Sequence, residues 1–533
     1  MTNISRDLSS VLCFIREKFL KYRKLSMPQG HKNTGKTPAK ALFHAAWLAG
    51  MGLALSGCLA GPDYQAAPVT MPGHWSNAAS QKVQAQPAAL AGWWRQLQDP
   101  LLDKLVAKAI AGNTDVATAK ARVREARATL RQTTGTLLPS LGGAADARRS
   151  RTGTAPETSR FNTGLDAGWE IDLFGANRRA VEAASYGLDA NIEELRATMV
   201  TLIGDIADNY IEARGQQAKI ALARQSAASQ RRTANLTKDK FTAGAVSALD
   251  VNNADGQAAS TEASIPQMER QLAAAIHRLS VLTGNAPSAL QQEMQKVKPV
   301  PRPKWPLPAG VPADILFTRP DIRVAERRYA QSTARIGQRE AERYPAFSLT
   351  GTINTAAAQI GDLGRSSTIN WATASGLSIP IFQGGQRLAA VEAARAQRDQ
   401  TFIAYRASIL TALEEVENAL VALNKDRIRS TKLGQAATSY GKALELSRDL
   451  YQSGNTSFLE LLTAERSHFS AQQSYVDSRV AMTRDYIALM KALGGGWDGT
   501  VDAGRREVVD RNTAPHLRNA STAPTPIRIE KGR

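Results

Sequence analysis

Only two of the 533 residues are cysteine, Cys13 and Cys58. Neither a disulfide framework nor a cysteine-based zinc site can be built from them. The six histidines are scattered from His31 to His516 and show no His-Glu-x-x-His or other ligand spacing. His277 and His468 fall on helical patterns and read as packing or surface residues. There is no phosphate loop, no Gly-x-Ser-x-Gly elbow and no dinucleotide fingerprint. The chain therefore reads as a non-enzyme with no cofactor and no metal site, and its unclustered methionines give no sign of copper export. Acidic residues are outnumbered, giving a formal charge of +19, yet no basic stripe with interleaved aromatics appears. Residues 1–57 carry nine Lys/Arg against Asp7 and Glu17, and the tail from Val501 carries seven against four acids. What remains is spread thinly, which leaves nucleic-acid binding without a footprint.

Hydrophobic residues make up 43% and charged residues 22%, which excludes wholesale disorder. Near the start, Lys32, Lys36 and Lys40 precede an uncharged Ala/Leu/Gly-rich run from Ala41 to Leu55, which ends in Leu55-Ser56-Gly57-Cys58. A basic region, a short apolar region and small residues at a cut are the layout of a secretory signal. The ending resembles a bacterial lipobox, which implies a signal peptide over 1–57 and acylation of Cys58. A single membrane anchor is the alternative, because the uncharged stretch runs on to Pro62. Met27 would give a signal of ordinary length, making 1–26 an over-called start. Leu59 follows the cysteine where an aspartate would suggest inner-membrane retention, so the outer membrane is expected.

A long internal repeat is visible. Asn113-Thr114-Asp115-Val116 lines up with Arg319-Pro320-Asp321-Ile322, and Leu138-Pro139-Ser140-Leu141 with Tyr344-Pro345-Ala346-Phe347, both at an offset of 206. Leu173-Phe174-Gly175 matches Ile381-Phe382-Gln383, Phe241-Thr-Ala-Gly244 matches Tyr451-Gln-Ser-Gly454, and Gly284 matches Gly494. The pattern predicts a tandem duplication: a first repeat over 93–298 and a second over 321–497. They are joined by a Pro-rich linker at 299–320, preceded by a lipidated segment at 58–92 and followed by a disordered tail at 498–533.

Each unit opens with a helix, roughly Pro100–Gln132 and Pro320–Arg343, and continues into two extended segments. From Phe161 to Leu173 the odd positions are mostly apolar. The even ones are polar or glycine: Asn162, Gly164, Asp166, Gly168, Glu170 and Asp172. This is period-2 patterning, and Ile369–Ile381 repeats it. Strands are expected at about 139–149, 160–174, 346–356 and 368–382. A soluble sandwich would alternate too, but thirteen residues is long against the usual five or six. At ~3.3 Å per residue and a tilt of 35–45° such a strand crosses a ~25 Å apolar band. Four strands cannot close a barrel alone, so a membrane barrel would be shared between chains. Asn162, Asp166, Glu170 and Asp172 would then face a wet lumen.

No proline occurs between Glu157 and Ile265, or between Ile381 and Ala514. Good helix formers dominate these tracts. Helices from Ala176 to about Lys240 and from Gln386 to about Leu450 would each be near 100 Å long at 1.5 Å per residue. Each tract is broken once, at 242–248 and 452–458. There Gly244 and Gly454 suit a left-handed C-cap and Ser/Thr residues suit the returning helix start. Two helical hairpins follow.

The sequence resembles the outer-membrane factor family, of the TolC, OprM and NodT type, from Cys58 to Trp497. The motifs that carry this are Cys58…Gly61-Pro62-Asp63-Tyr64, Trp93-Trp94…Asp99-Pro100-Leu101-Leu102 and Glu170-Ile171-Asp172-Leu173-Phe174-Gly175. Leu307-Pro308…Arg319-Pro320-Asp321-Ile322, Tyr451-Gln-Ser-Gly454…Leu461-Leu462 and Lys491-Ala492-Leu493-Gly494-Gly495-Gly496-Trp497 complete the set. The resemblance implies a mixed α and β membrane protein: a homotrimer with one 12-stranded β-barrel continued by a periplasmic α-helical barrel. It implies a lipid-anchored outer-membrane subunit of a tripartite efflux pump, passing substrate from an inner-membrane pump of the resistance-nodulation-division type through a periplasmic adaptor.

It further implies that Gly244, Ala245, Val246, Gly454, Asn455 and Thr456 dock the adaptor, and that Asp250 and Glu460 are gate carboxylates. As residues alone, both acids read equally well as helix N-terminal acids complementing the macrodipole. Two positions depart from the family. Thr463 stands where relatives often carry Asp, and Thr456 where TolC-like tips carry Arg, which shifts the lock to other contacts, with Arg466 the candidate. A channel for protein secretion and a periplasmic coiled-coil scaffold without a pore are the alternatives.

Overall fold

The protein is represented by a computed structural model that describes residues 59–66, 75, 90–303 and 313–496, with 313–315 described by backbone alone. The signal segment, Cys58, linker residues 304–312, Trp497 and the tail lie outside the described residues.

A 3-10 turn at Trp93–Leu97 leads into α1 (Pro100–Gly112) and α2 (Thr114–Gly135). One helix was expected across Pro100–Gln132; the chain breaks it at Asn113. The side-chain oxygen of Asn113 accepts the N–H groups of Asp115 and Val116 at 2.8 and 3.1 Å, capping α2, while its amide donates to Leu282 O at 3.0 Å. Beside it, a Cβ on Gly112 would lie 2.7 Å from Thr283 O.

Next come β1 (Ser140–Ser150), β2 (Thr158–Ile171), α3 (Ala176–Thr242) and α4 (Ala248–Leu282). After a 3-10 turn at Ala313–Thr318 the second half supplies α5 (Pro320–Ala341), β3 (Ala346–Ala357), β4 (Ile369–Ser378), α6 (Gln386–Gln452) and α7 (Phe458–Ala492). Both long helices have 67 residues and both returning helices have 35. β2 and β4 stop short of the expected Phe174 and Phe382. Leu173 N–H turns back onto Ile171 O at 2.9 Å. Two residues past the end of β4, Pro380 has no N–H with which to extend the ladder.

The four strands form one antiparallel sheet in the order β1-β2-β3-β4. Below it, α3 packs against α2, α4, α5 and α7. The main core joins Leu102 and Leu105 of α1 to Ile203, Ile206, Tyr210 and Ile211 of α3, Leu279 of α4 and Ile487 and Met490 of α7. Each such side chain contributes roughly 1.5–3 kcal/mol by leaving water. A polar network threads this core. Tyr210 Oη donates to Asp99, Arg214 Nη2 donates to Tyr210 Oη at 2.9 Å, and Lys298 Nζ reaches Asp99 at 3.1 Å. Burial opposes the charge on Asp99, but the hydrogen bonds from Tyr210, Lys298 and Leu101 N–H outweigh it and hold the carboxyl below its usual range.

The segment just past Cys58 is gripped at the junction of sheet and helices. Ala60 N–H donates to Phe174 O at 3.1 Å. The Arg179 guanidinium, 2% exposed, reaches Ala60 O and Gly61 O at 3.2 Å and Asp63 at 2.7 Å. Tyr64 donates to Glu326 at 2.9 Å and meets Tyr186 and Tyr329 edge-on. Gly61, at φ +82°, presses on α5 so closely that a Cβ would fall 2.3 Å from Gly337 Cα.

Candidate functional site

The two hairpin ends are built alike. α3 ends on Gly244 at φ 73° and α6 on Gly454 at φ 78°. Ala245 N–H donates to Lys240 O and Asn455 N–H to Leu450 O, each at 2.8 Å, the long bond of a left-handed C-cap. Ser247 and Ser457 start the returning helices, accepting the N–H groups of Asp250 at 3.2 Å and Glu460 at 3.3 Å. Asp250 closes a capping box by accepting Ser247 N–H at 3.1 Å, and Glu460 accepts the Thr456 hydroxyl. Both acids therefore serve as helix N-terminal acids within one chain. Val246 is half-buried, and Ala245, Asn455 and the other tip glycines and polar residues line the turns. Leu249 and Leu459 stand 67% exposed beside them.

Just behind the tips the hairpins are tied to each other. Tyr451, Phe458, Leu461 and Leu462 of the second hairpin bury against Ala234 and Ala254 of the first. Tyr451 Oη meets Thr237 Oγ1 at 3.0 Å, and its carbonyl accepts Lys240, whose ammonium also lies 4.4 Å from the Tyr451 ring. Deeper still, Thr233 donates to buried Glu465 at 2.8 Å, with Arg448 3.7 Å away. Desolvation pushes the Glu465 carboxyl above its usual range, and Thr233 and Arg448 only partly offset it. Arg466 donates to Gln257 across the hairpins at 2.6 Å, whereas Thr463 bonds only its own helix, at Leu459 O. Arg466 therefore makes its own cross-hairpin contact, separate from a tie that sequence reasoning did not assemble: Lys240, Thr237, Tyr451 and Glu465. Tyr451 was visible as a motif residue, but nothing in the sequence named its partner 214 positions away.

The sheet separates its two faces cleanly. Opposite one another along the ladders stand Leu165 and Ile353, Trp169 and Leu349, and Ile353 and Trp371. Of these, Ile353 is 50% and Trp371 75% exposed. The other face carries Asp146, Asn162, Asp166, Glu170, Thr352, Asn354 and Asn370, with Asn162 donating to Asp146 at 3.0 Å. Asp172 is not among them. It lies past the end of β2, 10% exposed, and accepts Arg178 N–H at 2.8 Å, which caps the start of α3. No described helix is long and apolar enough to cross a membrane, and no three His, Cys, Asp or Glu among the described residues stand together as a metal site.

Two stretches, 105–285 and 311–495, match the model of the family described as outer membrane efflux protein. The chain belongs to that family. Its similarity to nodulation protein T of Rhizobium leguminosarum bv. trifolii is 32% identity over 458 residues, covering 85% of this chain and 97% of the relative. To the cation efflux system protein CusC of Escherichia coli (strain K12) it is 30% over 453 residues, covering 83% and 97%. The structure of the outer-membrane channel OprN superposes with a TM-score of 0.77 at 32% identity, covering 83% of this chain and all of that one. The helix-rich body with its small sheet is thus the architecture of an outer membrane efflux channel.

Proposed function

We propose that this chain is the outer-membrane subunit of a tripartite efflux pump, working as a passive conduit in a homotrimer. The observation that carries the reading is the open sheet. Four strands with an exposed apolar face and unpaired outer edges on β1 and β4 are incomplete in a single chain. Three copies would supply twelve strands, enough for a closed barrel, where the smallest outer-membrane barrels have about eight. Trp371, Ile353, Leu349 and Leu165 then meet lipid, and Asn162, Asp166 and Glu170 line a wet lumen. Acylation of Cys58 anchors the same region, next to the gripped Ala60–Tyr64 segment.

Helices α3 and α6, each ~100 Å long by their 67 residues, carry the lumen across the periplasm. Their matched lengths support an origin by duplication of the 93–298 and 321–497 units. The tips, Gly244–Val246 and Gly454–Thr456, dock a periplasmic adaptor that leads to a resistance-nodulation-division pump. Asp250 and Glu460 from three chains would concentrate negative charge at a constriction, favouring cations there. Opening parts the tie around Tyr451 and Glu465 while each hairpin stays intact.

The test is single-channel conductance of purified protein in a planar bilayer, wild type against Asp250→Ala/Glu460→Ala. Discrete openings, larger or more frequent in the double variant, support conduit and gate together. Openings indifferent to the substitutions retain the conduit and discard that gate. Well-folded protein with no conductance in either form refutes the conduit.

A further inference from the structure

The register at the end of the sheet remote from the helices sets two arginines opposite each other. Arg148 on β1 lies directly opposite Arg160 on β2, on the same face as Asp146 and Asn162, and both arginines are exposed. Side chains so placed have Cβ atoms about 5 Å apart, and like charges in that position destabilise the pair. Two of the nearby acids are paired with other arginines, and the third, Asp146, sits one rung away on the same face. Glu157 pairs with Arg149 on the opposite face, its carboxylate accepting Arg149 Nε at 2.8 Å. Asp146 accepts Asn162 at 3.0 Å, and Asp362 pairs with Arg365 at 3.0 Å. Neither Arg148 nor Arg160 has an acid within ion-pair reach among the described residues. Along the polar face toward the helices the charge changes sign at Asp146 and stays negative at Asp166 and Glu170.

We propose that Arg148 and Arg160 form a binding site for phosphate-class polyanions at the outer mouth of the conduit. The inference rests on the reading of the polar face as lumenal. Two guanidinium side chains rising from one rung on one face can converge on the oxygens of a diphosphate or a clustered phosphomonoester, because guanidinium binds such oxygens in pairs. A bound polyanion removes the repulsion that the bare pair carries. In a trimer the site occurs three times around the exit, so the mouth is anion-attracting while the tips and the inner lumen attract cations.

The probe is inorganic pyrophosphate, added to one compartment at a time during conductance recording and titrated calorimetrically into the full-length protein in detergent. Arg148→Gln/Arg160→Gln is compared with wild type, and Arg149→Gln serves as the control on the other face. Wild type and the control should bind pyrophosphate and lose conductance from one side only, and the double variant should need about tenfold more. Identical titrations for wild type and double variant overturn the site and leave the conduit standing. Binding that depends on both arginines in protein that forms no pores supports the site and overturns the conduit. Lipid A phosphate retained by wild type and lost from the double variant, with no pyrophosphate effect, overturns the lumenal placement and assigns the site to a lipid headgroup.

Discussion

Replacing Asp485 by asparagine should stabilise the protein at neutral pH. Asp485 on α7 is partly buried, and one carboxylate oxygen is sealed from solvent with no donor. Desolvation, and then the facing carboxyl of Asp426 on α6, push its pKa from 3.8 up to about 6. The surrounding cations are committed: Arg484 to Asp208 and Glu212, Lys219 to Asp477, and Lys491 to Asp205, while Arg429 reaches only Asp426, at 3.9 Å. A proton shared by the two acids is therefore what completes the contact. Because the folded pKa is raised, the folded chain holds the proton more tightly than the unfolded one. The contribution of this contact to stability is lowest above about pH 6 and recovers as pH falls toward 3.8.

A rise of roughly two pH units corresponds to ~3 kcal/mol, and discounting for the partial hydration of Asp485 leaves ~1.5 kcal/mol. Asparagine donates permanently where aspartate must first be protonated. Spread over the roughly 410 described residues, the gain raises the thermal midpoint by roughly 1–2 °C at pH 7.5 and vanishes near pH 4. Differential scanning fluorimetry of the detergent-solubilised protein at both pH values reads this directly. Asp426→Asn should mimic it, and the double variant should add little. A lower midpoint for Asp485→Asn at pH 7.5, or an unchanged pH profile, refutes the shared proton.

Gly337→Ala would place its Cβ 2.7 Å from Arg179 Nε and 3.0 Å from Ala60 O. The overpacking cost of ~1–3 kcal/mol exceeds the ~1 kcal/mol gained in helix propensity, so the thermal midpoint should fall and protease should cut more readily near residue 60. A stabilised variant would contradict the grip. Ile353→Lys, mid-strand on the apolar face, should cost ~2–4 kcal/mol per chain if that face meets lipid. Far less protein should then fractionate with the outer membrane as heat-resistant oligomer, and unaltered assembly would show that something other than lipid covers the face.

Much of this was legible because it is local. The alternation through Asn162, Asp166 and Glu170 needs only the two-residue period of a strand, and the long helices need only helix formers without proline. Gly244 and Gly454 declare themselves because few other residues take positive φ. Asp172 misled for the same reason. It keeps the alternation in phase, but what decides its role is Arg178, six residues on, in a helix whose start the strand pattern does not mark. The single helix expected from Pro100 was cut by Asn113, whose cap is reinforced by Leu282 from another element. α4, conversely, runs unbroken through Pro266. Arg179 holding Ala60, Tyr451 meeting Thr237, and Asp485 facing Asp426 all depend on how helices far apart in sequence lie side by side, which periodicity does not encode.

The equality of the two long helices has a consequence for how such a chain can change. Removing one residue from α3 would retract its tip by ~1.5 Å and rotate everything beyond by ~100°. Ala234 would then be carried away from Tyr451. Lengthening or shortening would preserve those contacts only as a paired event, entered in both halves and in steps that restore the facing surfaces, close to seven residues at a time. Substitutions at individual positions would leave this geometry in place, whereas a change in the length of one helix alone would not.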